Sequence, residues 1–273
     1  MERTFVGAGL FAGLIAGIIT FIYARIFIEP LTATAIDYEE YRAHAEARMA
    51  EAVDHVHGHG PEHELFSRVV QENVGAAVGT IVFAIAIGAF FAVAFTVVWA
   101  YVGRRRPSID PRGVAAALGV IGFIAVIGIP FVVYPPNPPA VGESATIGER
   151  SGSFLTITIA SILLMSLAVT LTCHLWDRIG GLVSGIVSSL AYLFAIVVVT
   201  LFLPGAEETP GPVEHDGVIY GAGFPAQVLG DFRVYAIVNQ VILWTVLVTV
   251  FCLLYGVIAR RRLPQEARAK VAA

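Results

Sequence analysis

Six long apolar runs separate polar segments along this 273-residue chain. Each run is long enough to cross the hydrocarbon core of a bilayer as a helix, which takes roughly 20 residues. Strands at these positions would leave backbone groups without partners in lipid. The pattern therefore predicts an all-α, polytopic transmembrane helical bundle forming a single domain over residues 1–273. The predicted spans are residues 4–28, 74–102, 114–134, 154–176, 179–203 and 234–259.

The amino-acid composition indicates that much of the protein surface faces lipid rather than water. Hydrophobic residues make up 57% of the chain and charged residues only 14%, whereas a soluble domain carries about a quarter charged residues. Both cysteines, Cys173 and Cys252, fall inside apolar runs. We therefore expect no disulfide framework.

The distribution of charge predicts the orientation. One set of connecting segments, together with both termini, carries eleven basic and four acidic residues. The other set, counted with Arg25 near the outer end of the first span, carries six basic and seventeen acidic residues. Since Lys and Arg accumulate on the cytoplasmic side, both termini are predicted to be cytoplasmic. This orientation requires an even number of spans, which agrees with six.

Small residues recur at helical spacing in three spans and predict close helix packing. They are Gly9, Gly13 and Gly17 with Ala8, Ala12 and Ala16 in the first span, Gly75, Gly79, Ala84, Gly88 and Ala92 in the second, and Gly181, Ser184, Gly185 and Ser188 in the fifth.

The first outer loop, residues 29–73, is rich in acids and histidine. Its stretch from Asp37 to Asp54 predicts a helix, which Gly58, Gly60 and Pro61 end. Neutral imidazoles with flanking carboxylates could wrap a divalent transition-metal ion. A solvated acidic loop without a metal is an equally good interpretation. The candidate metal ligands are His55, His57, His59 and His63.

Two further outer segments are unusual. Four prolines between Tyr134 and Glu143 predict a stiff, extended backbone. Its carbonyls, with Asn137 and Glu143, could line a cation path, or the segment could be a rigid turn that sets the next helix. The residues from Gly223 to Arg233 predict an interfacial segment before the sixth span.

Polar groups inside the spans are sparse. No Asp, Glu, Lys or Arg lies at the middle of a span, which argues against a proton-coupled pump with carboxylates at the midplane. Ser166, Thr170 and His174 repeat every four residues in the fourth span. His174 is a candidate metal ligand near the cytoplasmic end, although hydrogen bonding between helices is the commoner role of such a residue.

Motifs of soluble catalysis are missing from the sequence. It has no Gly-rich phosphate loop ending in Lys-Ser or Lys-Thr and no HExxH zinc motif. We therefore predict that the protein is not an enzyme and holds no prosthetic group. Active transport would draw on a gradient, a partner or the membrane potential, which favours inward movement of a divalent cation by roughly 4–5 kcal/mol at 100 mV.

Four short segments carry a further signal. They are Glu29-Pro30-Leu31 with Ala35, Ile36 and Glu39; Phe66-Ser67-Arg68 with Gln71 and Gly75; the run from Tyr134 to Gly142; and Phe224-Pro225-Ala226 with Leu229, Phe232, Arg233 and Gln240. These segments resemble those of CbtA, a family of cobalt transporter subunits in bacterial membranes. All four lie on the predicted outer side or at outer helix ends, and they follow one another along almost the whole chain.

The resemblance implies a multi-pass transporter of the bacterial inner membrane that takes up cobalt as cargo. It also implies a second, small single-span subunit that carries a histidine-rich metal site. The resemblance adds Glu29, Glu39 and Gln240 to Asn137, Glu143 and His174 as a candidate ion path. Other helical membrane subunits and lipid are expected partners, and nucleic acid is not.

The chain differs from the family in two respects. Hydropathy predicts six spans here, whereas the family is known with about five, and the family's histidine motif belongs to the partner rather than to this loop. Two alternatives therefore stay open. The protein could be a non-catalytic accessory or assembly component of a larger membrane complex, or a metal-dependent membrane enzyme with an open coordination position.

Overall fold

The computed structural model describes residues 2–53, 74–139, 141–142, 146–205 and 209–271, with only the backbone course for residues 2, 3, 53 and 259–271. Seven helices and one hairpin make up this part of the chain. The helices are α1 (Glu2–Phe27), α2 (Glu29–Val53), α3 (Ala76–Arg105), α4 (Pro111–Val133), α5 (Ile147–Ile179), α6 (Gly181–Thr200) and α7 (Ala226–Val271). The hairpin pairs β1 (Val213–His215) with β2 (Val218–Gly221).

Six of the helices are long and apolar enough to cross a membrane, which confirms the predicted count. They are α1, α3, α4, α5, α6 and α7, whereas α2 is the polar helix predicted after the first span. Several helices extend beyond the predicted spans, since α5 begins at Ile147 and α7 at Ala226. These helices continue beyond their apolar residues into polar ones. Hydropathy alone does not predict where such a helix begins or ends. The cytoplasmic location of the termini stays a prediction.

Helix α4 contains a π-helical stretch, Ile124–Gly128, just before the buried Pro130. Proline has no N–H to donate, and its ring crowds the carbonyl four residues earlier. The chain accommodates it by inserting one wide turn, in which the Ile129 N–H bonds to the carbonyl of Ile124. The span continues to Val133 without breaking.

Helices α5 and α6 are joined by a single residue, Gly180. Its φ of 81° and ψ of 155° are accessible to glycine and strained for other residues. This turn ends α5 at Ile179, the residue at which the fifth span was predicted to begin. Asp177 and Arg178 consequently lie in the last turn of α5 rather than in a loop.

Tertiary contacts group the chain into two compact units. Unit 1 comprises Met1–Ile26, Glu64–Ile121 and Val238–Ala273, and unit 2 comprises Phe27–His63 and Gly122–Ile237. The prediction of one transmembrane domain over residues 1–273 stays a prediction.

In unit 1, the predicted stripe of small residues brings the backbones of α1 and α3 together. A Cβ atom added at Gly9 would lie 2.6 Å from the Cβ of Ala92, and one added at Gly17 would lie 2.9 Å from the Cα of Ile81. Gly88 faces the carbonyl of Gly9 in the same way. Side chains larger than these would force the two helices apart.

Not every small residue of the predicted stripes packs so closely. Gly79 and Gly185 have no neighbouring atom within 4 Å of an added Cβ. Ser184 and Ser188, in contrast, are buried on α6. The spacing therefore identifies the contacting face in α1 and the middle of α3 more reliably than in α6.

Aromatic rings form a second group of contacts in the unit 1 core. Phe95 and Phe251 are fully buried, and their rings meet edge to face with centroids 5.1 Å apart. Phe5 lies 5.8 Å from Phe95, and Phe91 lies 5.2 Å from Phe251. These offset geometries are the favourable ones for aromatic pairs, and they join α1, α3 and α7.

In unit 2, α5 packs along α6 around Ile157, Ala168 and Ile196. A buried hydrogen bond of 2.7 Å joins the hydroxyls of Ser161 on α5 and Tyr192 on α6. Tyr192 and Ser161 thereby satisfy each other in a place shielded from solvent.

The hairpin was not predicted from the sequence. Its turn is Asp216-Gly217, and both residues have positive φ, 51° and 81°. Two central residues with positive φ define a type I′ turn, for which Asp-Gly is a favoured pair. The local signal for the hairpin was this Asp-Gly dipeptide, in a loop whose sequence suggested only its charges.

Candidate functional site

Helix α2 and the hairpin form one assembly in unit 2, which we call the helix–hairpin assembly. Ala35, Tyr38 and Ala45 are buried along one side of α2. Steps of three and seven residues place these side chains on one helix face. Gly221 of β2 packs there so closely that an added Cβ would lie 2.7 Å from the Cβ of Ala45.

Polar side chains of α2 reach backbone atoms of the hairpin region. The Tyr38 hydroxyl donates to the carbonyl of Ala222 over 3.2 Å, and the Tyr41 hydroxyl accepts from the Ala222 N–H over 3.1 Å. Arg42 donates to the Gly211 carbonyl over 3.0 Å, and Arg48 donates to the Tyr220 carbonyl over 3.1 Å. Three of these bonds satisfy backbone carbonyls and one satisfies a backbone N–H, in β2 and in the residues that flank the hairpin.

Residues from three of the four family-like segments meet in the core of this assembly. Ala35, Tyr38, Val141, Phe224 and Leu229 form one buried cluster. The rings of Tyr38 and Phe224 lie edge to face, 5.0 Å apart. Three of the segments that carry the resemblance therefore pack together, with α2 beside them. The residues from Ala226 onward form the first turns of α7, and the interfacial location of the stretch from Gly223 to Arg233 stays a prediction.

Acidic side chains outnumber basic ones on the exposed surface of α2. Arg42 and Arg48 donate to carbonyls of the hairpin region, and Glu39, Glu40 and Glu46 are exposed. Glu46 also pairs with Arg42 over 2.8 Å. The hydrogen bond with Tyr38, together with the charge of Glu46, raises the pKa of Arg42 above its ordinary value. The solvent face of α2 is left acidic, and Glu214 and Asp216 of the hairpin are exposed as well.

The proline-rich segment is non-helical from Pro135 to Pro138, as predicted. Arg233 donates to Asn137 Oδ1 over 2.8 Å. Arg150 lies against Gly142, whose φ is 114°, and contacts the carbonyl of Val141 over 3.5 Å. Two arginines thus contact this segment from other parts of the chain. Sequence reasoning missed this arrangement because neither arginine adjoins the prolines in the chain.

The unusual polar groups of the spans are Asn239 and Gln240 on α7, in unit 1. The side-chain oxygens Asn239 Oδ1 and Gln240 Oε1 are both buried, and neither has a hydrogen-bond partner within the described residues. A buried amide oxygen without a partner costs roughly 1–3 kcal/mol. Such groups call for a functional explanation or an additional ligand.

His174 lies on an exposed face of α5, in unit 2. Ser166 and Thr170, two turns and one turn earlier, are exposed too, and their hydroxyls donate to the carbonyls of Ile162 and Ser166 over 2.8 Å. This polar stripe therefore faces away from the core, and its hydroxyls are satisfied by their own helix.

The candidate ion-path residues are only partly described. In unit 2, Glu29 is half-buried at the start of α2, and Glu39 is exposed further along the same helix. His174 lies towards the far end of α5 from Asn137, which precedes that helix, and the structure does not bring the two together. Glu143 and the predicted ligands His55, His57, His59 and His63 lie outside the described residues. Among described residues, no three His, Cys, Asp or Glu side chains form a metal-binding group.

Comparison with known proteins gives one match. A family model described as a probable cobalt transporter subunit (CbtA) matches residues 2–256, nearly the whole chain. No curated protein and no solved structure matches the chain. With its six apolar helices, the match supports a multi-pass membrane location.

Proposed function

The chain belongs to the CbtA family of probable cobalt transporter subunits, and from this premise we propose that it carries cobalt, or a similar divalent transition-metal cation, across the membrane. Cobalt is then cargo, not a resident cofactor. The family description names one subunit of a transporter, so the complete transporter contains other chains. The partner we propose is a small single-span, histidine-rich second subunit.

The observation that carries this proposal is the pair of buried, unpartnered amide oxygens on α7. Residues 234–259 contain no charged side chain, yet Asn239 Oδ1 and Gln240 Oε1 are turned away from solvent without a donor among the described residues. A cation that leaves water needs replacement oxygens, and uncharged amides supply them while binding weakly enough for release. We propose that the metal binds these oxygens transiently as it crosses the membrane.

Metal capture is proposed to occur at the predicted outer side. Helix α2 presents exposed Glu39, Glu40 and Glu46, and it ends at Val53, two residues before His55. An acidic surface raises the local concentration of divalent cations. The four clustered imidazoles would then take the metal from this pool.

In this proposal, the Arg233–Asn137 hydrogen bond hinders the binding of a cation to Asn137. Asn137 Oδ1 accepts from a guanidinium, and a cation repels that group. Asn137 can therefore serve a passing metal only after Arg233 releases it. Replacement of Arg233 by Gln would remove the charge while keeping a donor for Asn137.

Uptake of radioactive cobalt tests the proposal, in cells that express the chain together with its partner. We expect Asn239→Leu and Gln240→Leu to lower the initial rate about tenfold each, the effect of roughly 1.4 kcal/mol on a barrier. Ser188→Ala is the matched control, because it removes from α6 a buried hydroxyl that also has no partner among the described residues. This control should leave uptake unchanged.

A second arm replaces His55, His57, His59 and His63 by Ala together. Loss of uptake at low cobalt, with recovery at high cobalt, would support capture by this segment. If this variant takes up cobalt at the wild-type rate, the proposed capture step is wrong, and the proposal of transport stands. If the intact chain with its partner accumulates no more cobalt than empty controls, transport by this chain is wrong and an accessory or assembly role takes its place.

A further inference from the structure

A groove of about 470 Å³ opens on unit 1 between the first turns of α4 and the second half of α7. Its wall on α4 is formed by Arg112 and Ala116. The α7 side is lined by Val248, Thr249, Cys252, Leu253, Gly256 and Val257. Apart from Arg112, Thr249 and Cys252, these groups are apolar. The volume falls within the roughly 300–1,000 Å³ typical of sites for small ligands.

Small residues on α7 position the arginine at one end of this groove. A Cβ added at Gly256 would lie 3.6 Å from Cζ of Arg112, so the guanidinium rests across the helix backbone there. The Cys252 thiol donates to the Arg112 carbonyl over 3.8 Å and ties the start of α4 to α7. The result is an exposed cation at one end of an apolar groove.

The surroundings of Arg112 are strongly basic. Between Gly103 and Arg112 the sequence holds four arginines and a single acid, Asp110. The Asp110 carboxylate accepts the backbone N–H of Arg112 over 2.9 Å, and no carboxylate pairs with the Arg112 guanidinium in the described part of the chain. Arg105 stacks over Tyr101 at 4.3 Å, and an aromatic ring with a basic group is typical of the headgroup level.

We propose that this groove binds one anionic phospholipid, with the phosphate on Arg112 and an acyl chain along the apolar wall formed by Val248, Leu253 and Val257. The groove lies where α4 and α7 pass from apolar to basic sequence, which is the depth of the headgroups. Basic pockets between transmembrane helices are recognised sites for such lipids. This site is independent of the proposed path for the metal.

The volume favours a lipid chain over a partner helix. A helix with side chains is about 10 Å across and rises 5.4 Å per turn, so little more than one turn would fill the groove. An acyl chain is much thinner, and it gains from each methylene that it places against the apolar wall. The Arg112 guanidinium, which has no carboxylate partner among the described residues, gives a phosphate a charge-assisted hydrogen bond.

Native mass spectrometry of the full-length protein in detergent tests the proposal, with phosphatidylglycerol and phosphatidylcholine as probes. We expect the wild type to retain phosphatidylglycerol preferentially and Arg112→Gln to weaken its binding about tenfold, the loss of one charged hydrogen bond. Arg104→Gln is the matched control, since it removes the same charge from the same connection but does not line the groove. Equal losses in both variants would overturn the proposal.

Filling the groove gives an independent test that leaves every charge in place. Ala116→Phe should abolish preferential retention of phosphatidylglycerol while the protein keeps its thermal stability. Unchanged lipid binding in this variant would contradict the proposal. A change in oligomeric mass without a change in lipid binding would also overturn it, because the groove would then belong to another protein chain. Competition by inorganic phosphate as strong as that by the lipid would show that the acyl chain plays no part.

Discussion

Unit 1 brings helix backbones into direct contact, whereas unit 2 relies on long polar side chains that reach backbone carbonyls. In unit 1, Gly9 and Gly88 allow α1 and α3 to touch. In unit 2, Tyr38, Arg42 and Arg48 span the distance between α2 and the hairpin. Small residues suffice where helices satisfy their own backbone groups. Outside the spans, a helix needs polar side chains to satisfy an adjoining sheet.

The strongest test of this comparison is Gly9→Leu. The added side chain has no room against Gly88 and Ala92, so we expect a loss of about 3 kcal/mol or more in unfolding free energy. Thermal unfolding of the detergent-solubilised protein measures it. Gly7→Leu is the control on the same helix, because nothing lies within 4 Å of its added Cβ. Equal stability of the two variants would mean that the backbone contact does not hold α1 to α3.

A smaller loss is expected for Gly221→Val in the helix–hairpin assembly. The new side chain would overlap Ala45 and should destabilise the assembly by roughly 1–3 kcal/mol. Proteolysis between α2 and the hairpin reports the opening. Gly211→Val, at an open position, should behave like the wild type. Resistance to protease in the Gly221 variant would show that α2 and the hairpin are not packed this closely.

The Ser161–Tyr192 bond tests whether hydrogen bonding also matters inside the spans of unit 2. Tyr192→Phe leaves the Ser161 hydroxyl without its partner, and we expect a cost of roughly 0.5–1.5 kcal/mol. Ser161→Ala in the same chain should recover part of it. A double-mutant cycle on thermal stability gives the coupling energy. A coupling of zero would leave packing alone to hold α5 against α6.

The smallest expected effect is that of Arg42→Gln, roughly 0.5–1 kcal/mol, since Arg42 and Glu46 are both partly exposed. The raised pKa of Arg42 means that its contribution is complete below the unfolded pKa and is lost only as pH rises through the folded one. Because an arginine stays protonated well above pH 9 in both states, the difference from wild type should be the same at pH 6 and pH 9. A difference that disappears at pH 9 would contradict the assignment.

The same contrast explains what the sequence could predict. The six spans and the stripe from Gly9 to Gly17 follow from hydropathy and local spacing, and both are found in the structure. The helix–hairpin assembly depends on pairs such as Arg48 with Tyr220, which lie 172 residues apart. No local sequence pattern predicts such pairs. Asp216-Gly217 was the one local signal for the hairpin, and the acidic residues around it drew attention to charge instead.

The candidate site shows a similar division. Asn137 and Gln240 were recognised from sequence, but the sequence could not show that Arg233 holds Asn137 or that the oxygens of Asn239 and Gln240 are buried without donors among the described residues. Burial and partners are properties of the packed chain. The capture step through His55, His57, His59 and His63 stays a prediction, because these residues lie outside the described part of the chain.

The single-residue joint at Gly180 has a consequence for biosynthesis. Because α5 and α6 are separated by one residue, neither can enter the bilayer alone without carrying the first turn of the other. The two helices should therefore leave the insertion machinery as one antiparallel pair, with Ser161 and Tyr192 already facing each other. A tag or glycosylation site inserted at Gly180 to map the topology would separate the two helices. The insertion would therefore change the helix arrangement that the experiment is meant to determine.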